Sequence, residues 1–473
     1  MSKSTEWELY EDRLFKSNPE ERKIARELYA ISKDLPLLCP HGHVNPELFA
    51  ENLPFPDPTE LLIIPDHYLF RMLYSQGISM QSLGIPRIDG GETEADHRKI
   101  WQIFADHFYL FHGTPTGFWL KSELIDVLNV KQPLNSENAM EIYDRIKEEL
   151  AKPENLPRDM FERFNIEVLS TTDSPTDTLE AHQKIRESGW KGRVVPAFRP
   201  DNVTDLLYKG WKDNIKQLEA VSGVDCSTYN GFIQALENRR EFFVSMGATS
   251  TDHGVTSPYT VELSDREAEH LYSKALQGQA TAQDAEQFTG HMLMQMARMS
   301  VEDGMVMQIH AGVFRNHNPE IFAAFGADKG ADIPMATDFV HNLKPLLDKF
   351  GNHPDLRVIL FTIDETPYSR ELAPLAGHYP ILRLGPAWWF HDSREGMLRY
   401  RRLMTETAGF YNGVGFIDDT RAFPSIPARH DVARRIDARY LAELVAEHVI
   451  EMQDARQLIK DLAYNLAKEN YKL

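Results

Sequence analysis

Apolar positions along this chain change their rhythm near residue 165. Before that point they recur at helical spacing. Asn18-Pro19-Glu20-Glu21 reads as a helix start, with Asn as the cap, Pro at the first helical position and acid in the first turn. Asp66 can cap a helix carrying Tyr68, Leu69, Met72 and Leu73 that stops at Gly77, and Ile100, Ile103, Phe104 and Phe108 form another amphipathic face. Beyond 165 the apolar runs become short, rich in β-branched residues and separated by helical stretches, which is the rhythm of βαβ units.

The strand candidates are 35–39, 166–171, 193–198, 246–250, 305–309, 357–363, 381–385 and 413–417, with 246–250 the weakest by propensity. This number of strands alternating with helices predicts an α/β fold, a closed (β/α)8 TIM-type barrel. The interval 44–165 is too long for a simple connection and strongly helical, so it is expected to be an insertion over the barrel mouth. The expected organisation is an N-terminal helix and first strand in 1–43, the insertion in 44–165, and the remaining barrel with C-terminal helices in 166–473. Ile436, Tyr440, Leu444 and Val445 mark the last helical region.

The residues just past each strand carry the chemistry. In order, the exits hold His41 and His43, Thr171-Thr172-Asp173, Arg199, Asp252-His253, His310, Asp364, Trp388-Trp389, and Asp418-Asp419 with Arg421. Catalytic groups of such barrels sit at the C-terminal ends of the strands. Strands also end in polar turn residues, and helix capping explains Asp173 well; it explains histidines, arginines and tryptophans poorly.

Side chains at i and i+2 of an extended chain share a face, so His41 and His43 could reach one ion. The spacing alone is weak, but a carboxylate from the last strand lies beside the first strand in a closed barrel. Imidazoles with a carboxylate suit one divalent metal: zinc, with manganese or iron as alternatives. Alternation through Val414, Phe416 and Asp418 points Asp418 inward if the strand is unbroken, whereas a bulge would favour Asp419. Arg199 and Arg421 offer planar forks that match a carboxylate, although any single arginine of an acidic protein is more often a surface ion pair. His310 precedes Ala311-Gly312, a small-residue turn that lets a ligand approach, and Trp388-Trp389 could wall a pocket or simply bury aromatic area, burial being the favoured reading for at least one of them.

Composition narrows the partners. A net charge of −20 disfavours nucleic acid and anionic membranes. With 42% hydrophobic residues and no apolar run near the ~20 residues of a membrane helix, a globular chain is expected. The opening MSKSTEWELYEDRLF is acidic and lacks the apolar core of a signal peptide, so a cytoplasmic location is expected. Cys39 and Cys226 are too few for a disulfide framework and read as buried thiols. A homo-oligomer is the default assembly.

Taken together, the chain resembles the uronate (glucuronate) isomerases, a branch of the amidohydrolase superfamily. The resemblance runs in order through His41-Gly42-His43, Asp66-His67-Tyr68 with Arg71, Thr171-Thr172-Asp173 with Pro175 and Asp177, and Arg199-Pro200-Asp201. It continues through Asp252-His253, Gln308 and His310 with Arg315-Asn316, Trp388-Trp389-Phe390 with Asp392, and Asp419-Thr420-Arg421 with Arg429-His430. It implies interconversion of D-glucuronate with D-fructuronate and of D-galacturonate with D-tagaturonate, by proton transfer between C2 and C1 through an enediolate. It also implies that Asp419 is the inward acid, that His41, His43 and Asp419 hold the metal or the ring oxygen, and that Asp419 with a histidine, His41 being the candidate, opens the sugar ring. Tyr68 would carry the proton; Arg199, Arg421 and His310 would orient the substrate, and Asp252 and Trp388 complete the pocket. A phenol near pKa ~10 needs a nearby cation to act as a base, and Arg71, three residues on and on the same helical side, is one candidate. After the sixth strand the family shows an Asn-Pro-Arg-Asp-like segment, whereas this chain reads Thr362 to Arg370, so Arg370 is the candidate replacement. The rivals are a metal-dependent hydrolase of the same superfamily acting on a lactone or amide, and a non-catalytic sugar-acid binder.

Overall fold

The computed structural model describes residues 6–473; residues 1–5, part of the acidic opening segment, lie outside the described residues. Helix α1 (Pro19–Ser32) starts as its sequence dictates, with the Asn18 side chain accepting the N–H groups of Glu20 and Glu21. It delivers the chain to β1 (Leu37–Cys39), which pairs in parallel with β2 (Ile166–Ser170), itself paired with β3 (Val194–Val195). A second parallel run joins β4 (Ser250–Gly254), β5 (Val306–Ala311), β6 (Val358–Thr362) and β7 (Leu382–Leu384). Single bridges from Phe198 to Asp173 and to Thr251 connect the two runs.

The eighth stave is not a strand. Residue Gly413 bridges Leu384, and the ring closes where the His43 N–H donates to the Thr420 carbonyl at 2.8 Å. Between these points the predicted strand 413–417 is broken because Gly415 has φ +82°, a left-handed conformation that takes it out of any ladder. A Cβ there would also lie 2.7 Å from the Leu462 carbonyl.

A second strand boundary also differs from expectation. The run 246–250 is the end of a helix and a turn, with Met246 as the C-cap and Gly247 at φ +100°, and β4 begins only at Ser250. Asp252, His253 and His310 therefore sit within strands rather than after them. Polar residues survive there because they are paired inside the barrel.

Alternate residues fill the interior. Val306, Ile359, Phe361, Val414 and Ile417 pack with Tyr471, and Leu38, Val168 and Val195 pack with Ala467, so C-terminal helical residues plug the barrel floor. The Tyr471 hydroxyl donates to Gln308 Oε1 on β5 at 2.7 Å. Residues 44–165 form short helices over a core that includes Phe49, Leu73, Trp101 and Phe104. Within them, α2 (His67–Tyr74) is capped by Asp66, which accepts the Tyr68 N–H at 2.8 Å. Helix α3 (Arg394–Ala408) and the long helix α4 (Ile426–Ala446) pack outside the last staves. Among the described residues no helix is long and apolar enough to cross a membrane. Cys39 and Cys226 are both free and buried.

Candidate active site

At the C-terminal ends of the strands, His41, His43, His310, Arg199, Trp388, Asp419 and Arg421 line one cavity. Asp419 enters it because its backbone is left-handed, φ +45°, which reverses the alternation and turns Asp418 outward. Asp418 meets His430 at 3.3 Å on α4, with Cys39 nearby, on the other side of the barrel wall. The inward acid is thus Asp419.

Asp419 Oδ1 stands 3.4 Å from His41 Nε2 and 3.2 Å from His43 Nε2, yet neither approach has hydrogen-bond geometry and Oδ1 is buried without a partner. Lone-pair atoms converging in this way fit a cation. Trp388 Nε1 donates to the other oxygen and fixes the carboxylate plane. Burial alone would raise the Asp419 carboxyl, but His41 and His43 hold it well below the usual range.

A second relay backs the first. His310 Nδ1 lies 2.7 Å from Asp252 Oδ1, and the other oxygen of Asp252 is 3.1 Å from Arg199, which also pairs with Asp201 at 2.7 Å. His310 stacks between His41 and Phe361, with centroids at 4.6 and 4.2 Å, and its Nε2 is buried without a partner. Burial pushes His310 down to about 4, so its ring is neutral at physiological pH. Burial would lower His41 too, but Asp252 and Asp419 hold it above its ordinary value. Two carboxylates that outweigh the cost of burying charge on His41 mark a place that favours positive charge.

Sequence reasoning did not single out four further polar wall residues, His67, Arg315, Asp328 and Asp332, whereas Trp389, weighed there together with Trp388, does line the cavity. His67 and Arg315 lie in stretches that carry the family resemblance, without a role of their own. Asp328 and Asp332 belong to the polar loop Gly326-Ala327-Asp328-Lys329-Gly330-Ala331-Asp332, whose glycine-and-acid composition was the available signal.

Two expectations change. Arg370 lies outside the cavity, its side chain 68% exposed and paired with Glu371. Tyr68 is buried, its ring packed edge-on against Trp389 and Trp119, and its cation is Arg429, 5.0 Å from the ring centroid, rather than Arg71. Arg71 instead lies over the Trp389 ring. Burial raises the Tyr68 phenol well above its usual value and outweighs Arg429.

A barrel whose rim gathers histidines, carboxylates and arginines in one cavity is an enzyme scaffold of the amidohydrolase type. The glucuronate isomerase family model matches residues 14–471, and the chain belongs to that family. It is 54% identical to the uronate isomerase of Brucella canis over 462 residues, covering 98% of this chain and 99% of the relative. Identity to the uronate isomerase of Xanthomonas axonopodis pv. citri is also 54%, covering 98% of each chain. The structure is similar to the crystal structure of glucuronate isomerase from Caulobacter crescentus, with TM-score 0.97 and 52% identity, covering 99% of this chain and 97% of that one.

Proposed function

We infer that this chain is an aldose–ketose isomerase acting on hexuronates, a small sugar-acid substrate, and interconverts D-glucuronate with D-fructuronate and D-galacturonate with D-tagaturonate. The observation that carries the reading is the convergence of arginines with an ionised aspartate and histidines in one cavity of a glucuronate isomerase family member. The hydrolase alternative is not favoured.

The roles follow from the environments. Two nearby titratable groups with pKa values pushed apart can serve as an acid and a base, although Tyr68 packs against the wall residue Trp389 and does not itself line the cavity. Asp419, kept ionised, accepts the hydroxyl proton as the ring opens, with His41 beside it. Tyr68, kept protonated by burial, is suited to returning a proton rather than to acting as a phenolate base. Arg421 and Arg199 orient the carboxylate and hydroxyls, His310 offers its free Nε2 to an oxygen, and Asp252 sets its tautomer. His41, His43 and Asp419 would hold one divalent ion, zinc by donor type, with manganese and iron compatible. Such an ion supplies charge stabilisation to substrate oxygens.

Incubating the purified protein with D-glucuronate or D-galacturonate in deuterated buffer tests this directly. The corresponding ketose should accumulate, and deuterium should enter at the carbon receiving the proton to the extent that it exchanges with solvent. Absence of ketose with either substrate under all divalent-metal conditions removes the assignment.

A further inference from the structure

Three cavity arginines each face a carboxylate of this chain, but the carboxylates are not equally fixed. Asp201, opposite Arg199, also accepts the Gly254 N–H, and Asp332, opposite Arg315, accepts the Asn316 N–H. Asp252 is held by His310. Asp328 differs: it meets Arg421 at 3.2 Å and, among the described residues, takes no backbone hydrogen bond. Its side chain is 46% exposed at the cavity lip. It sits in a loop with three left-handed residues, Gly326, Asp328 and Gly330, whose base is tied by hydrogen bonds from Ile88 to Ala324 and from His317 to Ala331. Arg421 in turn has its Nε buried without a hydrogen-bond partner.

We propose that Asp328 is a resident stand-in for the substrate's carboxylate and a specificity-determining residue: a hexuronate must displace it from Arg421 to bind. The inference rests on Arg421 receiving that carboxylate in the proposed reaction. Exchanging one carboxylate for another keeps the charge of the cavity constant, so the guanidinium is never left bare. A sugar without a carboxylate cannot make the exchange, and the Asp328–Arg421 pair stays closed against it. Discrimination for acidic over neutral sugars then comes partly from a competitor built into the chain.

The test compares Asp328→Asn and Asp328→Glu with wild type, measuring D-glucuronate affinity by calorimetry alongside KM and kcat. Removing the competitor should tighten D-glucuronate binding about two- to fivefold, the range expected for a partly exposed ion pair, with kcat changing less than KM. Asp328→Glu should stay within about twofold of wild type, and a neutral hexitol, which the closed pair excludes in the wild type, should gain affinity in Asp328→Asn but not in Asp328→Glu. Unchanged or weaker binding by Asp328→Asn overturns the proposal. Because an affinity can be measured whether or not the sugar turns over, a wild-type protein inert toward hexuronates would count against the proposed reaction, while the affinity ratio would still judge Asp328.

Discussion

Asp418 and Asp419 are adjacent in sequence, yet their carboxylates serve opposite sides of the barrel wall. Asp419 faces His41 and His43 in the cavity, whereas Asp418 meets His430 on α4. The left-handed backbone of Asp419 makes this division possible.

The two acids should therefore fail in different ways. Asp419→Asn should cut turnover by about 10²–10⁴, the usual range for a general base, while leaving the melting temperature near that of wild type. Asp418→Asn weakens a buried hydrogen bond and should cost about 1–3 kcal/mol of stability with a smaller effect on turnover. Thermal melts and steady-state kinetics on both variants would decide, and equal kinetic losses would contradict the division.

Metal content is a second handle. The isolated chain should carry about one divalent ion, measured by plasma mass spectrometry, and His43→Ala should lose most of it. Full occupancy in that variant would place the ion elsewhere.

Glu123 supplies a pH dependence. It is fully buried beside Asp66, and burial pushes its carboxyl up to about 8, well above an unfolded value near ~4.3. The folded state therefore holds a proton that the unfolded state releases. Its stabilising contribution is fully present below the unfolded pKa and is lost as pH rises through about 8, with a slope approaching about 1.4 kcal/mol per pH unit. Glu123→Gln should melt like wild type near pH 4.5 and above it at pH 9. Parallel stability curves for the two proteins would refute this.

Arg429 joins the insertion to the last stave. Its guanidinium stacks on Trp119 at 3.8 Å, lies over Tyr68, donates to the Asp418 carbonyl at 3.1 Å and meets Asp392 at 3.3 Å. Lysine keeps the charge but has neither the planar fork nor the stacking face, so Arg429→Lys should lose about 1–3 kcal/mol of stability in denaturant titrations. A loss below about 1 kcal/mol would show that the contacts are replaceable.

Much of the barrel could be read from the chain because strand exits repeat the same signal, a β-branched run followed by polar chemistry. His41, His43, Arg199, His310 and Arg421 were found this way and share the cavity. Periodicity misplaced β4 because it takes polar residues to mark a strand's end, while Asp252 is buried within the strand by its pairing with Arg199 and His310. It also could not decide between Asp418 and Asp419, since one positive φ inverts the alternation; only the family pattern pointed to the right acid. Arg370 was chosen for nearness in sequence, but the turn at Tyr368–Leu372 carries it out to solvent. Asp328 gave no periodic signal because loops have none.

The ring closes where the His43 N–H reaches the Thr420 carbonyl, and the histidines and aspartate of the cavity straddle that joint. Occupying the site consequently stitches the first stave to the last, across most of the chain's length. Ion or sugar binding should therefore register as resistance of the entire barrel to opening, growing with the logarithm of ligand concentration. Chemistry and closure share one seam.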